Sequence, residues 1–419
     1  MARFMGQIII FLGILLLIDL YIFQAVRTVS ESLGPIYKGL VYGAYWMISA
    51  LTLALFFSAP YLRSAAVPNS WRIYPLAIGI GVIIAKLLSL GFFLMDDLRR
   101  ILQWAWYKIQ SGEAAGPLAS GASGEGISRS TFLSWIGLGV GGTIFSTLLY
   151  GFKNQYNYQV RELSLAFPHL PSAFRGLRII HISDIHSGSF MNKDEVLRGI
   201  RTINDLKPDL ILFTGDLVND RASEMAPYMD VFSQLSAPMG VYSVLGNHDY
   251  GDYIGWESPD AKVENLEKLK TVHASLGWKL LLDESVSLQK GGDSIGLIGV
   301  QNISGKARFH SYGDLAKAYR DTADAPFKIL MSHDPSHWDA EVKKQYPDID
   351  LTLSGHTHGM QFGVELPWFK WSPVQWVYRQ WAGLYEDAGQ KLYVNRGFGF
   401  IGYPGRVGIL PEITLIELV

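Results

Sequence analysis

The chain contains no cysteine, which excludes disulfides, thiolate-ligated metals and thiol nucleophiles while leaving the compartment open. Net charge is nearly absent too: 36 Lys and Arg against 38 Asp and Glu give a formal −2. With no basic stripe and no internal repeat, nothing points to a nucleic-acid partner. The first 150 residues are filled instead by four apolar stretches, at 7–25, 40–62, 73–95 and 132–150. Each approaches the about 20 apolar residues required to cross a bilayer. A cleaved signal peptide would account for the first stretch but not for the three that follow. The hydrophobic fraction of 49% therefore averages two unlike regions, and the expectation is a multi-pass protein of a bacterial inner membrane.

The domain reading follows composition. Residues 1–110 read as three transmembrane helices plus an interfacial helix, 111–130 as a flexible linker rich in Gly, Ala and Ser, 131–152 as a fourth transmembrane helix, and 153–419 as a soluble domain large enough for one core. Residues 97–109 mix Arg99, Arg100 and Lys108 with Trp104, Trp106 and Tyr107, a pattern that suits a helix at the membrane surface or an extension of the third span. Two ionisable residues interrupt the spans. Asp19 and Lys86 lie at similar depths, about 12 and about 13 residues in, on helices running in the same direction. An unpaired charge there is costly, so an Asp19–Lys86 ion pair facing the bundle interior is expected.

In the soluble part, five blocks of metal-binding residues follow one another: Asp184-Ile-His186, Gly215-Asp216, Gly246-Asn247-His248-Asp249, Ser332-His333 and Gly355-His356-Thr-His358. Each comes after an apolar run, which puts oxygen and nitrogen donors at the ends of buried strands. Runs at 177–182 and 209–213, with Val196, Leu197, Ile200, Ile203 and Leu206 at helical spacing between them, read as a βαβ unit. Further strands are expected at 241–245, 294–300, 327–331, 350–353, 391–395 and 412–418. Hydrolysis of a phosphate ester needs a strong nucleophile at neutral pH and neutralisation of the phosphoryl charge; two divalent ions about 3.5 to 4 Å apart, sharing a hydroxide, supply both. Asp216, behind Gly215, is the natural bridge. Carboxylate, amide and imidazole donors favour manganese first, with iron, zinc or magnesium as alternatives.

The ordered series Asp-x-His, Gly-Asp, Gly-Asn-His-Asp, His and Gly-His-x-His resembles the signature of the calcineurin-like metallophosphoesterases, over residues 177–419. Any single block is common, and the order is what is specific. Asn395-Arg396-Gly397, the closing Pro411-Glu412-Ile-Thr-Leu-Ile-Glu417 and the membrane-spanning N-terminus look most like the YkuE-like branch and its transmembrane relatives. The resemblance implies an α/β (α+β) four-layer domain, two mixed β-sheets packed face to face with flanking helices, preceded by a four-helix transmembrane region. It implies a first metal on Asp184, His186 and His358, a bridging Asp216, and a second metal on Asn247, His333 and His356. His248 would stay off the metals and protonate or stabilise the leaving oxygen, with Asp249 orienting it. The family often follows the last block with Gly-Gly; here Gly359 precedes Met360, a side chain expected to narrow the site.

Other residues read less sharply. His181 sits inside the first strand as a hydrogen-bonded core histidine, while His273, His310 and His337 belong to no block and suit surface or capping roles. Arg396 either contacts a substrate phosphate or pairs with a carboxylate. Trp368, Phe369, Trp371, Trp376, Tyr378 and Trp381 cluster with Lys370 and Arg379. That mixture suits a bilayer headgroup region, with Trp368 and Trp371 as substrate contacts, or an aromatic subcore over the site.

The functional expectation is a metal-dependent hydrolase of a phosphoester or pyrophosphate, lipid-linked or presented at a membrane surface. A UDP-2,3-diacylglucosamine diphosphatase is the alternative substrate reading, and a non-catalytic metal-binding or sensor module the alternative of another class. Four spans put the N-terminus and the catalytic domain on one side. Arg27, Lys38, Arg99, Arg100, Lys108 and Arg129 on the opposite side outnumber Arg3, Arg63, Arg72, Lys153 and Arg161 by six to five, which narrowly puts the catalytic domain outside the cytoplasm. Ser128-Arg129-Ser130-Thr131-Phe132-Leu133 resembles a twin-arginine export motif lacking its second arginine.

Overall fold

The computed structural model describes residues 2–62, 69–111 and 129–419; the linker expected at 111–130 lies, apart from its ends, outside them. Two compact units divide the chain, Met1–Tyr150 and Gly151–Val419.

In the first unit four helices, Ala2–Val29 (α1), Pro35–Leu62 (α2), Asn69–Ser111 (α3) and Arg129–Gly151 (α4), are each long and apolar enough to cross a membrane. The separate interfacial helix expected at 97–109 is instead the unbroken C-terminal part of α3, because no Gly or Pro interrupts the chain between Gly91 and Gly112. The Asp19–Lys86 pair forms. Lys86 Nζ donates to Asp19 Oδ1 and, at 2.8 Å, to Ser49 Oγ; the Ser49 and Tyr45 hydroxyls donate to the same carboxylate oxygen at 3.1 Å. The acid is thereby satisfied by α2 and α3 together, which is what a buried charge among apolar helices requires. α4 docks on α3 through small residues. Ser89 Oγ donates to Gly137 O at 2.8 Å, and a Cβ on Gly141 would lie 2.2 Å from Ser89 Oγ.

The second unit holds two six-stranded mixed sheets. The first runs Gln159–Leu165 (β1), Glu412–Leu418 (β14), Leu177–Ile182 (β2), Leu210–Phe213 (β3), Val241–Ser243 (β4), Lys279–Leu280 (β5). The second runs Gly383–Asp387 (β12), Gln390–Val394 (β13), Leu351–Ser354 (β9), Lys328–Met331 (β8), Asp293–Gly299 (β7), Glu284–Lys290 (β6). A hairpin of Val364–Leu366 (β10) and Phe369–Trp371 (β11) stands apart. β2 to β5 are mutually parallel, as are β7, β8, β9 and β13. Ile179, Leu210 and Ile416 of one sheet pack on Leu297, Ile329 and Leu353 of the other. The outer face of the first sheet receives Val196, Ile200 and Ile203 of helix Lys193–Asp205, and that of the second receives Leu315, Trp338 and Val342. The result is the expected four-layer, two-sheet architecture.

Lys86→Met leaves the Asp19 carboxylate without its cation, so the full-length protein in detergent should lose stability on the order of 3 kcal/mol. The double change Asp19→Leu, Lys86→Met should cost less than either Asp19→Leu or Lys86→Met alone; thermal unfolding of the three variants measures this, and additive losses would show that the two charges do not act as a pair.

Candidate metal centre

β2, β3, β4, β8 and β9 each end within four residues of a ligand block. The turns that follow are tight. Asp184, His186, Asp216, His356 and His358 all have φ between 48 and 72°, a left-handed conformation that costs non-glycine residues on the order of 1 kcal/mol or more each. Hydrogen bonds hold them there. The amides of Asp184 and His186 donate to the carbonyls of Gly215 and Asp216 at 2.9 and 3.1 Å. The His356 amide donates to the Asp184 carboxylate at 2.9 Å, and the His248 amide to Asp216 Oδ1 at 2.9 Å.

The side chains converge into two groups that share a carboxylate. His358 Nε2 is 3.2 Å from Asp184 Oδ1. Asn247 Oδ1 is 2.7 Å from His356 Nδ1 and 3.2 Å from His333 Nε2. Asp216 Oδ2 lies between the groups, 3.5 Å from His186 Nε2 and 3.1 Å from His333 Nε2. Two clusters of three could hold a metal ion, Asp184 with His186 and His358, and Asp184 with Asp216 and His333; Asp184 is common to both, while Asp216 reaches a histidine of each.

The electrostatics call for cations. Burial opposes ionising Asp184 and Asp216, yet the surrounding imidazoles outweigh it and hold both carboxyls below the usual range. Burial likewise opposes charging His333, but the Asp216 carboxylate wins and raises it to about 10. Among the described residues no Lys or Arg pairs with either acid, and the buried His186 Nδ1, His186 Nε2 and His358 Nε2 have no hydrogen-bond partner. Buried imidazole nitrogens without hydrogen-bond partners, gathered around two buried carboxylates that only imidazoles face, fit divalent ions bound through N and O donors.

Residues 177–360 match the family “Calcineurin-like phosphoesterase”, and residues 5–155 match “Probable Calcineurin-like phosphoesterase, transmembrane domain”. The metallophosphoesterase YkuE of Bacillus subtilis is 31% identical over 59% of this chain and 81% of its own length. The chain belongs to the calcineurin-like metallophosphoesterases. A transmembrane protein with metallophosphoesterase domain from Danio rerio is 31% identical over 62% of this chain, which spans 57% of that relative's length. Among solved structures, the sulfate thiohydrolase SoxB of Thermus thermophilus covers 59% of this chain and 57% of its own, at a TM-score of 0.35 and 13% identity. Family membership and the four apolar helices make this a membrane protein of a divalent-metal family.

Several expectations need correcting against this metallophosphoesterase site. Asp249 does not orient His248. It is buried behind the turns, where its carboxylate accepts the amides of Asp216, Leu217 and Gly246 at 2.8 to 2.9 Å. His248 Nδ1 instead meets Asn219 O at 2.8 Å, and its ring lies 4.4 Å from that of Tyr253. Glu224 fixes that carbonyl by accepting the Asn219 amide at 2.6 Å.

Of the two readings of Arg396, the structure shows the pairing with carboxylates. The side chain is buried, forking onto Glu365 at 2.6 and 3.1 Å and onto Glu412. Met360 is 58% exposed and has a φ of 56°, a left-handed conformation that glycine takes at less cost. The aromatic segment divides. Tyr378 and Trp381 are buried in a small cluster with Val374 and Ile409, Trp371 is half-buried against Trp376 at 5.9 Å, and Trp368 is 81% exposed.

His181 is a core histidine, bonded to Thr214 Oγ1 at 2.9 Å. His273 and His337 are not on the surface; both are fully buried, bonded to Ser243 and Ser332. Sequence reasoning missed Arg406, fully buried with Nη2 3.1 Å from His358 Nδ1 and its other bonds to the carbonyls of His358, Arg396, Gly397 and Gly399. It also missed Tyr378 as a neighbour of His356 Nε2, at 2.8 Å, and Tyr253, whose hydroxyl accepts from Asn247 Nδ2 at 2.8 Å.

Burial raises the Glu412 carboxyl, but Arg396 outweighs it and holds the group below its ordinary 4.5. Its contribution to stability is therefore complete above that value and is lost as pH falls through the depressed one. Glu412→Gln should flatten the acid limb of a stability–pH profile; an unchanged limb would locate acid lability elsewhere.

Proposed function

We propose that the chain is a membrane-anchored phosphoesterase that uses two divalent ions, manganese first among Mn, Fe, Zn and Mg, to hydrolyse a phosphoester or pyrophosphate bond of a lipid-linked or membrane-surface substrate. The observation that carries this reading is the position of Asp216 Oδ2 between His186 Nε2 and His333 Nε2. Asp184, His186 and His358 form one donor set, Asn247, His333 and His356 the other, and Asp216 bridges them. Ions in those sets, when bound, neutralise phosphoryl charge and generate a nucleophile from water. His248 Nδ1–H donates to Asn219 O, which fixes the ring with Nε2 as its second nitrogen; with a proton on Nε2 as well, the imidazolium would give that proton to the departing oxygen. Exposed Trp368, Phe369 and Trp376 suit a headgroup region and support a lipid-linked substrate. The loop charges favour an extracytoplasmic catalytic domain.

Asp216→Asn should remove activity and much of the bound metal, whereas His248→Asn should keep the metal and lose turnover by about 10²- to 10⁴-fold. Elemental analysis beside an Mn²⁺-supplemented assay separates them. A metal-free His248→Asn protein would overturn the division of roles, and a fully active Asp216→Asn protein the two-metal scheme.

A reporter that works only outside the cytoplasm, fused after Val419, should be active. Activity confined to the cytoplasm would reverse the orientation and move the nucleotide-linked lipid of the UDP-2,3-diacylglucosamine diphosphatase reading to first place.

A further inference from the structure

Residues 301–314 carry no regular secondary structure, yet they are firmly held. Ser304 Oγ donates to Asp334 Oδ2 at 2.6 Å, beside the ligand His333, and the Gly305 amide donates to Ser336 Oγ at 2.9 Å. At the other end Tyr312 stacks on Tyr250 at 3.7 Å and donates to Asp252 at 2.8 Å. The loop is therefore tied to the His333 turn and to the segment just beyond Asn247 and His248.

What it presents to the site is cationic. The Arg308 guanidinium lies 4.5 Å over the Phe309 ring, which meets the His356 ring edge-on at 4.8 Å. Lys306 Nζ lies 5.5 Å from the ring of Tyr378, whose hydroxyl is 2.8 Å from His356 Nε2. Each cation stands one aromatic ring away from the same ligand. Among the described residues neither Lys306 nor Arg308 has a carboxylate partner, whereas Lys262, Lys328, Lys343 and Arg161 do. A guanidinium resting on a ring keeps its in-plane N–H donors free for bidentate contact with two oxygens of a phosphate.

We propose that Arg308 and Lys306 form a subsite for a second phosphate, the one joined through oxygen to the phosphorus under attack, so that the substrate is a diphosphate rather than a simple monoester. This rests on the phosphoesterase reading. Hydrolysis forms a bond from water oxygen to the attacked phosphorus and breaks the bond from that phosphorus to the bridging oxygen. The electron pair leaves on that oxygen, now part of the second phosphate, which takes the proton from His248, while one proton of water is released and can return to the imidazole. Negative charge grows on the group the two cations hold, so they favour departure as well as binding.

The test uses full-length protein in nanodiscs of neutral lipid at a fixed free Mn²⁺ concentration, with inorganic pyrophosphate and orthophosphate titrated by calorimetry. Charge-assisted contacts of this kind predict that the wild type binds pyrophosphate about 10- to 100-fold more tightly than orthophosphate. Arg308→Gln with Lys306→Gln should bring that ratio within about threefold of unity. Arg308 is exposed and Lys306 half-buried, and neither side chain makes a hydrogen bond among the described residues, so the variant should fold; a thermal unfolding curve checks it. A wild-type ratio near one, or a ratio retained in the variant, overturns the subsite. So does a variant whose only defect is weaker response to anionic lipid added to the nanodiscs, which would assign the cations to the bilayer. Failure of the phosphoesterase reading is a separate result: no hydrolysis of p-nitrophenyl phosphate or any diphosphate by the Mn²⁺-loaded wild type, whatever the binding ratio.

Discussion

Ligand side chains hang from backbone that does not hold its shape unaided. Five of them sit at left-handed φ, and the groups that hold the turns are themselves carboxylates of the site. Asp184 accepts the His356 amide, Asp216 accepts the His248 amide, and Asp249 gathers the Gly246 amide together with those of Asp216 and Leu217, just after Gly215. The two glycines are in contact there: a Cβ on Gly215 would fall 2.4 Å from the Gly246 amide nitrogen. Metal-binding geometry and loop geometry are thus one network, and strain stored in the turns is balanced by charge-assisted hydrogen bonds.

The same economy of polar groups appears in the membrane-spanning unit. There Asp19 receives donors from two neighbouring helices, much as Asp249 receives them from two neighbouring turns. In both places an acid that is costly to bury is used to fix the relative position of backbone elements. Neither arrangement contributes chemistry directly.

How much of this was readable beforehand depends on burial. β2, β3, β8, β9 and β14 lie in the middle of the sheets, and their residues are almost all buried, so they show up as continuous apolar runs. β1 and β6 are edge strands that alternate exposed and half-buried residues with Arg161, Glu162, Glu284 and Lys290 among them; such segments do not stand out against loop composition, and both were missed. The ligands were readable because five short blocks recur in order after those runs. Asp249 was read in the right block with the wrong task, since nothing in Asn-His-Asp says that the acid faces amides rather than the imidazole beside it. Arg406 left no signal, because its partners are mostly carbonyl oxygens and any residue type supplies those. Arg396 was readable as a cation needing an anion, and the long-range partners Glu365 and Glu412 required the fold.

That ion cluster has one further consequence. Glu365 belongs to β10, Glu412 begins β14, and Arg161 on β1 joins them at 2.7 Å from Glu365. The hairpin that carries Trp368 and Phe369 at its tip is therefore bolted at its base to the edge of a six-stranded sheet. A tip mounted in this way has already lost its conformational freedom before it meets anything, so contact there is not taxed by ordering the segment. It acts as a stiff wedge with a fixed direction, and the aim of two exposed aromatic side chains is set by a glutamate near the far end of the chain.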